Sequence, residues 1–185
     1  MKAIARWLEG LGAQPDVVEF FEPYGSDWPR AWAELPRGDW MLGIAARLTS
    51  DVSAVVRAAS ACARIALREG GPNPDAQRAI ELVEEWAASR ASSAPLAAEA
   101  ERLEALADHA ESPVTQSVIL AAAAACRSAS DPTQAVAAAT HAVETATSAR
   151  ADEDPMRVAA EIRAASARAA RVHLPTQLVR GPFRG

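Results

Sequence analysis

Three histidines, His109, His141 and His173, are the residues best suited by type to hold a transition metal or move a proton near neutral pH. Their spacing supports neither role. Each falls on a different helical segment or helix end, and no HxxxH, HExxH or ExxH pair places two ligands on one helix face. No GxSxG, SxxK or Cys–His surrounding activates a serine, threonine or cysteine. Glycine forms no GxGxxG or GxxxxGK[ST] loop for phosphate. The expectation is therefore no catalytic residue, no metal and no cofactor, and a protein that is not an enzyme. Arg37-Gly38-Asp39 spells a tripeptide that integrins read in extracellular loops, but here it reads as a turn with Asp39 capping the next helix.

Charge is the feature that remains. Glu101, Glu104, Asp108 and Glu111 recur at i, i+3, i+7 and i+10, which reads as an acidic stripe down one helix. Glu81, Glu84 and Glu85 extend it on the preceding helix. Between Pro155 and Gly185, by contrast, six arginines face a single acid, Glu161. Arg157, Arg168 and Arg171 share one side of a helical wheel there, opposite an apolar seam of Val158, Ile162, Ala165, Ala169 and Val172. Such faces are either solvated or form a docking surface in which charge sets on-rate and partner choice. The acidic stripe is the candidate partner-binding surface.

The elements that would position these faces are helical. About a quarter of the residues are alanine, and valine and isoleucine are too scattered for the alternation of a strand. Ile4, Trp7, Leu8 and Leu11 begin a run of four short helices, interrupted at Gly12, Pro23-Tyr24-Gly25 and Pro36. From Asp51 the helices lengthen, and start signals recur at Asp51, Asn73-Pro74, Ser112-Pro113, Asp131-Pro132 and Asp154-Pro155. Gln134, three residues after Asp131, completes a capping box. Ala79, Ile80, Val83, Trp86 and Ala87 form one buried face. The reading is all-α: an antiparallel alanine-rich bundle in a single domain over 1–174, with short aromatic helices over 1–50, longer helices over 51–174, and a flexible tail over 175–185.

Bulk properties agree. Net charge is −5, and 50% of the residues are apolar, which disfavours nucleic acid as a partner and excludes extended disorder. Cys62 and Cys126 lie in alanine-rich helical stretches and read as buried free thiols. No basic-then-apolar leader opens the chain and no uncharged run reaches bilayer length, so the reading is cytoplasmic, with no membrane association.

Arg37-Gly38-Asp39-Trp40-Met41-Leu42, Cys62-Ala63-Arg64, and Arg78-Ala79-Ile80-Glu81 through Trp86-Ala87 also carry a likeness. Over roughly residues 37–145 the chain resembles alanine-rich helical proteins of actinobacteria, myxobacteria and their phages, part of which carry the label of an immunity protein domain. That resemblance implies a cytoplasmic protein that binds and neutralises a toxin, here a basic one, and it carries over no catalytic residues. Two other readings stand beside it. One is a structural or assembly protein acting through self-association as a homo-oligomer or scaffold. The other is a small-ligand pocket or cryptic enzyme site at the aromatic end, lined by Trp28, Trp32 and Trp40.

Overall fold

A computed structural model describes residues 3–89 and 92–179, and among these the chain is all helical. Four short helices come first: α1 (Ala3–Gly10), α2 (Pro15–Phe21), α3 (Trp28–Glu34) and α4 (Gly38–Leu48). Six longer ones follow: α5 (Val52–Gly70), α6 (Pro74–Ser89), α7 (Ala94–Ala107), α8 (Pro113–Arg127), α9 (Ala135–Ala149) and α10 (Pro155–His173). Two 3-10 turns, Glu22–Tyr24 and Pro132–Gln134, join elements that would otherwise run on.

The helix starts are set by side-chain caps, each satisfying a backbone N–H that the helix cannot. Asp51 accepts from the Ala54 N–H at 3.2 Å, Asn73 from Ala76 at 2.9 Å, and Ser112 from Thr115 at 3.1 Å. Asp154 accepts from the Met156 N–H at 2.9 Å. Two expected caps take other forms. Asp131 accepts from the Thr133 N–H at 3.0 Å, and the Gln134 amide donates to the Asp131 carboxylate at 3.1 Å, so a 3-10 turn replaces the capping box. Asp39 does not cap α4, because that helix already begins at Gly38. Asp39 lies in its first turn and binds Arg37 at 2.5 Å, with the Arg37 guanidinium 4.2 Å from the centre of the Trp40 ring.

At the centre lies α5, which packs against α4, α6, α8, α9 and α10. Eleven of its residues are buried, and eight of those (Ser53, Ala54, Ala58, Ala59, Ser60, Cys62, Ala63 and Ala66) are small. Alanine-lined helices approach closely, toward the short end of the roughly 8–10 Å interaxial range. At two points even a methyl group is too much. A Cβ on Gly70 would run into Val118 and lie 2.9 Å from the Thr145 methyl. A Cβ on Gly38 would lie 2.5 Å from the Ser166 Cβ and 2.6 Å from the Ser166 carbonyl carbon. The end of α5 thus meets the first half of α8 and the last turns of α9, making α5 antiparallel to α8 and parallel to α9.

The aromatic N-terminal helices pack as anticipated, but on an unanticipated partner. Trp28 and Trp32 are buried and stacked, with ring centres 5.5 Å apart, and Phe21 stacks on Trp28 at 5.7 Å. The Trp28 indole N–H donates to the Val179 carbonyl at 2.7 Å, and that of Trp32 to the Leu174 carbonyl at 2.9 Å. Leu174 and Val179 are fully buried. Residues 175–179 are therefore a docked strap and not the frayed segment expected, while 180–185 lie outside the described residues. The domain closes on itself through its two ends. Trp86 is half-buried at the edge of the α6 core face instead of fully inside it.

Two substitutions on α4 separate packing from helix propensity. Gly38→Ala drives a methyl into the Ser166 backbone and lowers stability by about 1–3 kcal/mol. Gly43→Ala, where the new Cβ meets only the Val136 methyl at 3.4 Å, raises stability by about 0.5–1 kcal/mol. Denaturation midpoints of the two variants therefore move in opposite directions. Trp32→Phe keeps the ring but orphans the buried Leu174 carbonyl, lowering stability by about 1–3 kcal/mol in the same assay.

Candidate functional site

The acidic residues do not form a stripe on one helix. Helix α7 stops at Ala107, so only Glu101 and Glu104 are helical; Asp108 is the C-cap and Glu111 lies in the turn before α8. The helix stops here because Asp108, His109 and Ala110 close tight bonds back to the last turn, and the His109 Nδ1–H donates to the Ala105 carbonyl at 2.9 Å. Ser112 and Pro113 then start α8. Glu104 is not available to a partner. Arg127 of α8 grips it with two bonds of 2.5 Å, and this guanidinium holds the Glu104 carboxyl below its ordinary range.

What remains is a smaller acidic corner. Glu101, Asp108 and Glu111 are exposed and make no salt bridge among the described residues, and Glu85 on α6 is exposed likewise. Glu81 accepts from the Gln77 amide, and Glu84 is bound by Arg64. The corner sits at the C-terminal end of α7, where the last carbonyls already present partial negative charge, and no basic residue occupies the last turn.

The basic face is also divided. Arg157 is exposed and pairs with Glu153. Arg168 is exposed. Arg171 turns inward and donates to the Trp32 and Leu35 carbonyls, capping the end of α3, and burial lowers its pKa. The seam of α10 is rotated to match: Val158, Ala159, Ile162, Ser166, Ala167 and Ala170 are buried, while Val172 is 77% exposed. The wheel reading placed Val172 inside because it could not see that the Arg171 position is the one drawn toward α3. Helix α10 packs on α4, α5 and α9, whereas α7 packs on α6 and α8.

Two concave sites lie among the described residues. Of the three tryptophans expected to line a pocket, Trp28 and Trp32 are core. Trp40 borders a groove of about 390 Å³ between α2 and α4, with Val17 and Ile44 beneath and Asp16, Arg37 and Arg47 around it. The second is a cleft of about 220 Å³ formed by Arg57, Ala61 and Arg64 of α5, Glu84 of α6 and His173 of α10. Sequence reading passed over it, since its four polar residues come from three helices. Its one early sign was Arg57 and Arg64 at i and i+7 with alanine between them. Both thiols are buried, which pushes Cys62 and Cys126 up to about 12. Among the described residues no group of His, Cys, Asp and Glu side chains has the arrangement of a metal site. No helix among them is long and apolar enough to cross a membrane.

No protein-family model, curated protein or solved structure matches this chain.

Burial, and next to it the Arg57 charge, lowers the His173 pKa from its ordinary 6.5. The folded state therefore binds this proton less readily than the unfolded chain, and its contribution to stability is complete above about pH 6.5 and declines as pH falls. The carboxylates of Glu84, Glu99 and Glu104 are lowered by their arginines, so their contribution is lost only further down, below the ordinary carboxylate range. Urea titrations from pH 7.5 to 5.5 will show stability falling with pH, and His173→Gln will flatten that slope.

Proposed function

We propose that this chain is a non-enzymatic protein-binding module of the immunity type, which occupies a basic surface on its partner through the acidic corner at the end of α7. The observation that carries this reading is the placement of Asp108 and Glu111 at the negative end of a helix that has no basic residue in its last turn, with Glu101 two turns before Asp108. Like charge at a helix end costs about 0.3–1 kcal/mol per residue. Several other acids are held by arginines: Glu84 by Arg64, Asp75 and Glu99 by Arg102, Glu104 by Arg127, and Glu153 and Glu161 by Arg150. A group of exposed carboxylates fits a surface whose cations come from another molecule; the family likeness implies a toxin, and the acidic charge of the corner makes a basic one the matching class.

The variant Glu101→Arg/Asp108→Arg/Glu111→Arg tests this while leaving Glu104 and Arg127 themselves in place. Its helical circular dichroism stays unchanged and its thermal midpoint holds or rises, because charge of the favourable sign replaces the unfavourable. In pull-downs from the native host, the unmodified chain retains a basic protein at low salt and loses it as salt rises, and the variant fails to retain it at either. Equal retention by the variant removes the acidic corner from the argument. Recovery of only the chain itself, insensitive to salt, supports the self-associating scaffold instead.

A further inference from the structure

The cleft between α5, α6 and α10 holds more hydrogen-bond donors than the chain uses. Arg57 and Arg64 stand two turns apart on one face of α5, and Ala61 between them leaves the space open. Arg64 gives Nε and Nη2 to Glu84, both at 2.6 Å, and the Ser60 hydroxyl adds a bond of 3.0 Å to the same carboxylate. The one acid in the cleft is thus already engaged, and among the described residues Arg64 Nη1 makes no hydrogen bond. Arg57 gives Nη1 to the Ser53 hydroxyl at 3.2 Å and the Ala87 carbonyl at 3.3 Å, leaving Nε and Nη2. The His173 ring is half-buried, lines the cleft, and makes no hydrogen bond among the described residues.

Two helix C-termini end near this point, and their carbonyls would repel an anion if left bare. They are covered in part: Ala87 at the end of α6 by Arg57, and Leu174 at the end of α10 by the Trp32 indole. What faces the cleft is two guanidinium groups and an imidazole against one neutralised carboxylate. Guanidinium forks match the geometry of carboxylate and phosphate oxygens, and such charge-assisted bonds are about twice as strong as neutral ones. A volume of about 220 Å³ admits a small ion with a few waters and is below the range of drug-sized ligands.

We propose that this cleft binds a small oxyanion, a phosphate or a carboxylate group, held by Arg57, Arg64 and His173. The site is separate from the acidic corner and does not depend on the partner proposed for it. The charged groups facing His173 are Arg57 and Arg64 from α5 and Glu84 from α6. A bound anion favours protonated His173, so by linkage affinity for the anion rises as pH falls through the titration of this ring.

The test is to follow the His173 ring by NMR while adding sodium phosphate, and separately sodium acetate, with ionic strength held constant by chloride. The expected result is a saturable shift with an upward displacement of the His173 titration. Saturation by phosphate alone identifies a tetrahedral anion, by acetate alone a carboxylate, and by both a general oxyanion site. Arg57→Gln weakens binding by roughly tenfold or more, the loss of one charge-assisted interaction. Because Arg57 also covers the end of α6, Ala61→Leu serves as a second variant: it fills the cleft, keeps every charge, and abolishes the saturable shift. A drift that neither saturates nor distinguishes phosphate and acetate from chloride overturns the proposal, as does undiminished binding in Ala61→Leu.

Discussion

The backbone of α5 is approached by α4, α6, α8, α9 and α10, and most of what it buries is alanine, serine or cysteine. A helix surrounded in this way cannot carry long side chains, since each would hold a neighbour off and open a void that others must fill. The bundle therefore gains its cohesion from close backbone approach, many short-range dispersion contacts and few large side chains. Gly38 and Gly70 mark where that approach reaches its limit. At Gly70 the side chains of Val118 and Thr145 occupy the space a Cβ would take, and at Gly38 the backbone of Ser166 does. Spacing between the long helices is set at these contacts, and the other helix positions follow from it.

A core of small residues leaves the bulk of the apolar volume to be placed elsewhere, and it is placed at one end. Trp28, Trp32, Phe21, Leu35 and Met41 gather where α1 to α4 meet the last turn of α10 and the strap behind it. Leu174 and Val179, both fully buried, complete this cluster. Burying two indoles creates two donors that must be satisfied, and one finds the Leu174 carbonyl at the end of α10, the other the Val179 carbonyl of the strap. Arg171 supplies the reciprocal need by donating to the carbonyls that end α3. The first and last segments of the chain thus complete each other's hydrogen bonding, and neither would be dry and satisfied alone.

These two regimes explain what was legible beforehand. Caps act within three residues, so Asp51, Asn73, Ser112 and Asp154 could be read from the chain directly. The all-α class followed from alanine content and the absence of strand alternation. What failed was every inference that needed a distant partner. The strap depends on indoles some 140–150 residues earlier. Asp39 resembled a cap because its pairing with Arg37, whose guanidinium lies over the Trp40 ring, has no signature in spacing. The stripe through Glu101, Glu104, Asp108 and Glu111 assumed that α7 continues, whereas His109 and Ser112-Pro113 end it and Arg127 claims one of its members. Periodicity specifies a face only while the helix lasts.

The same packing rule bears on where a functional surface can arise. On α5 the small-residue requirement extends to Ala61, at the margin where the helix turns toward solvent, and two arginines flank it at helical spacing. A larger residue at 61 would fill the space between Arg57 and Arg64, and the cleft exists because the residue there is alanine. At the far side of α6, the end of α7 buries Leu103 and Ala107 and leaves Asp108 and Glu111 exposed, with no salt bridge among the described residues. The cleft's arginines also tie α5 to α6, Arg64 through Glu84 and Arg57 through the Ala87 carbonyl, whereas the acidic corner opposes the helix dipole beside it. Asp108 and Glu111, which make no salt bridge among the described residues, are positions where an external partner has something to gain.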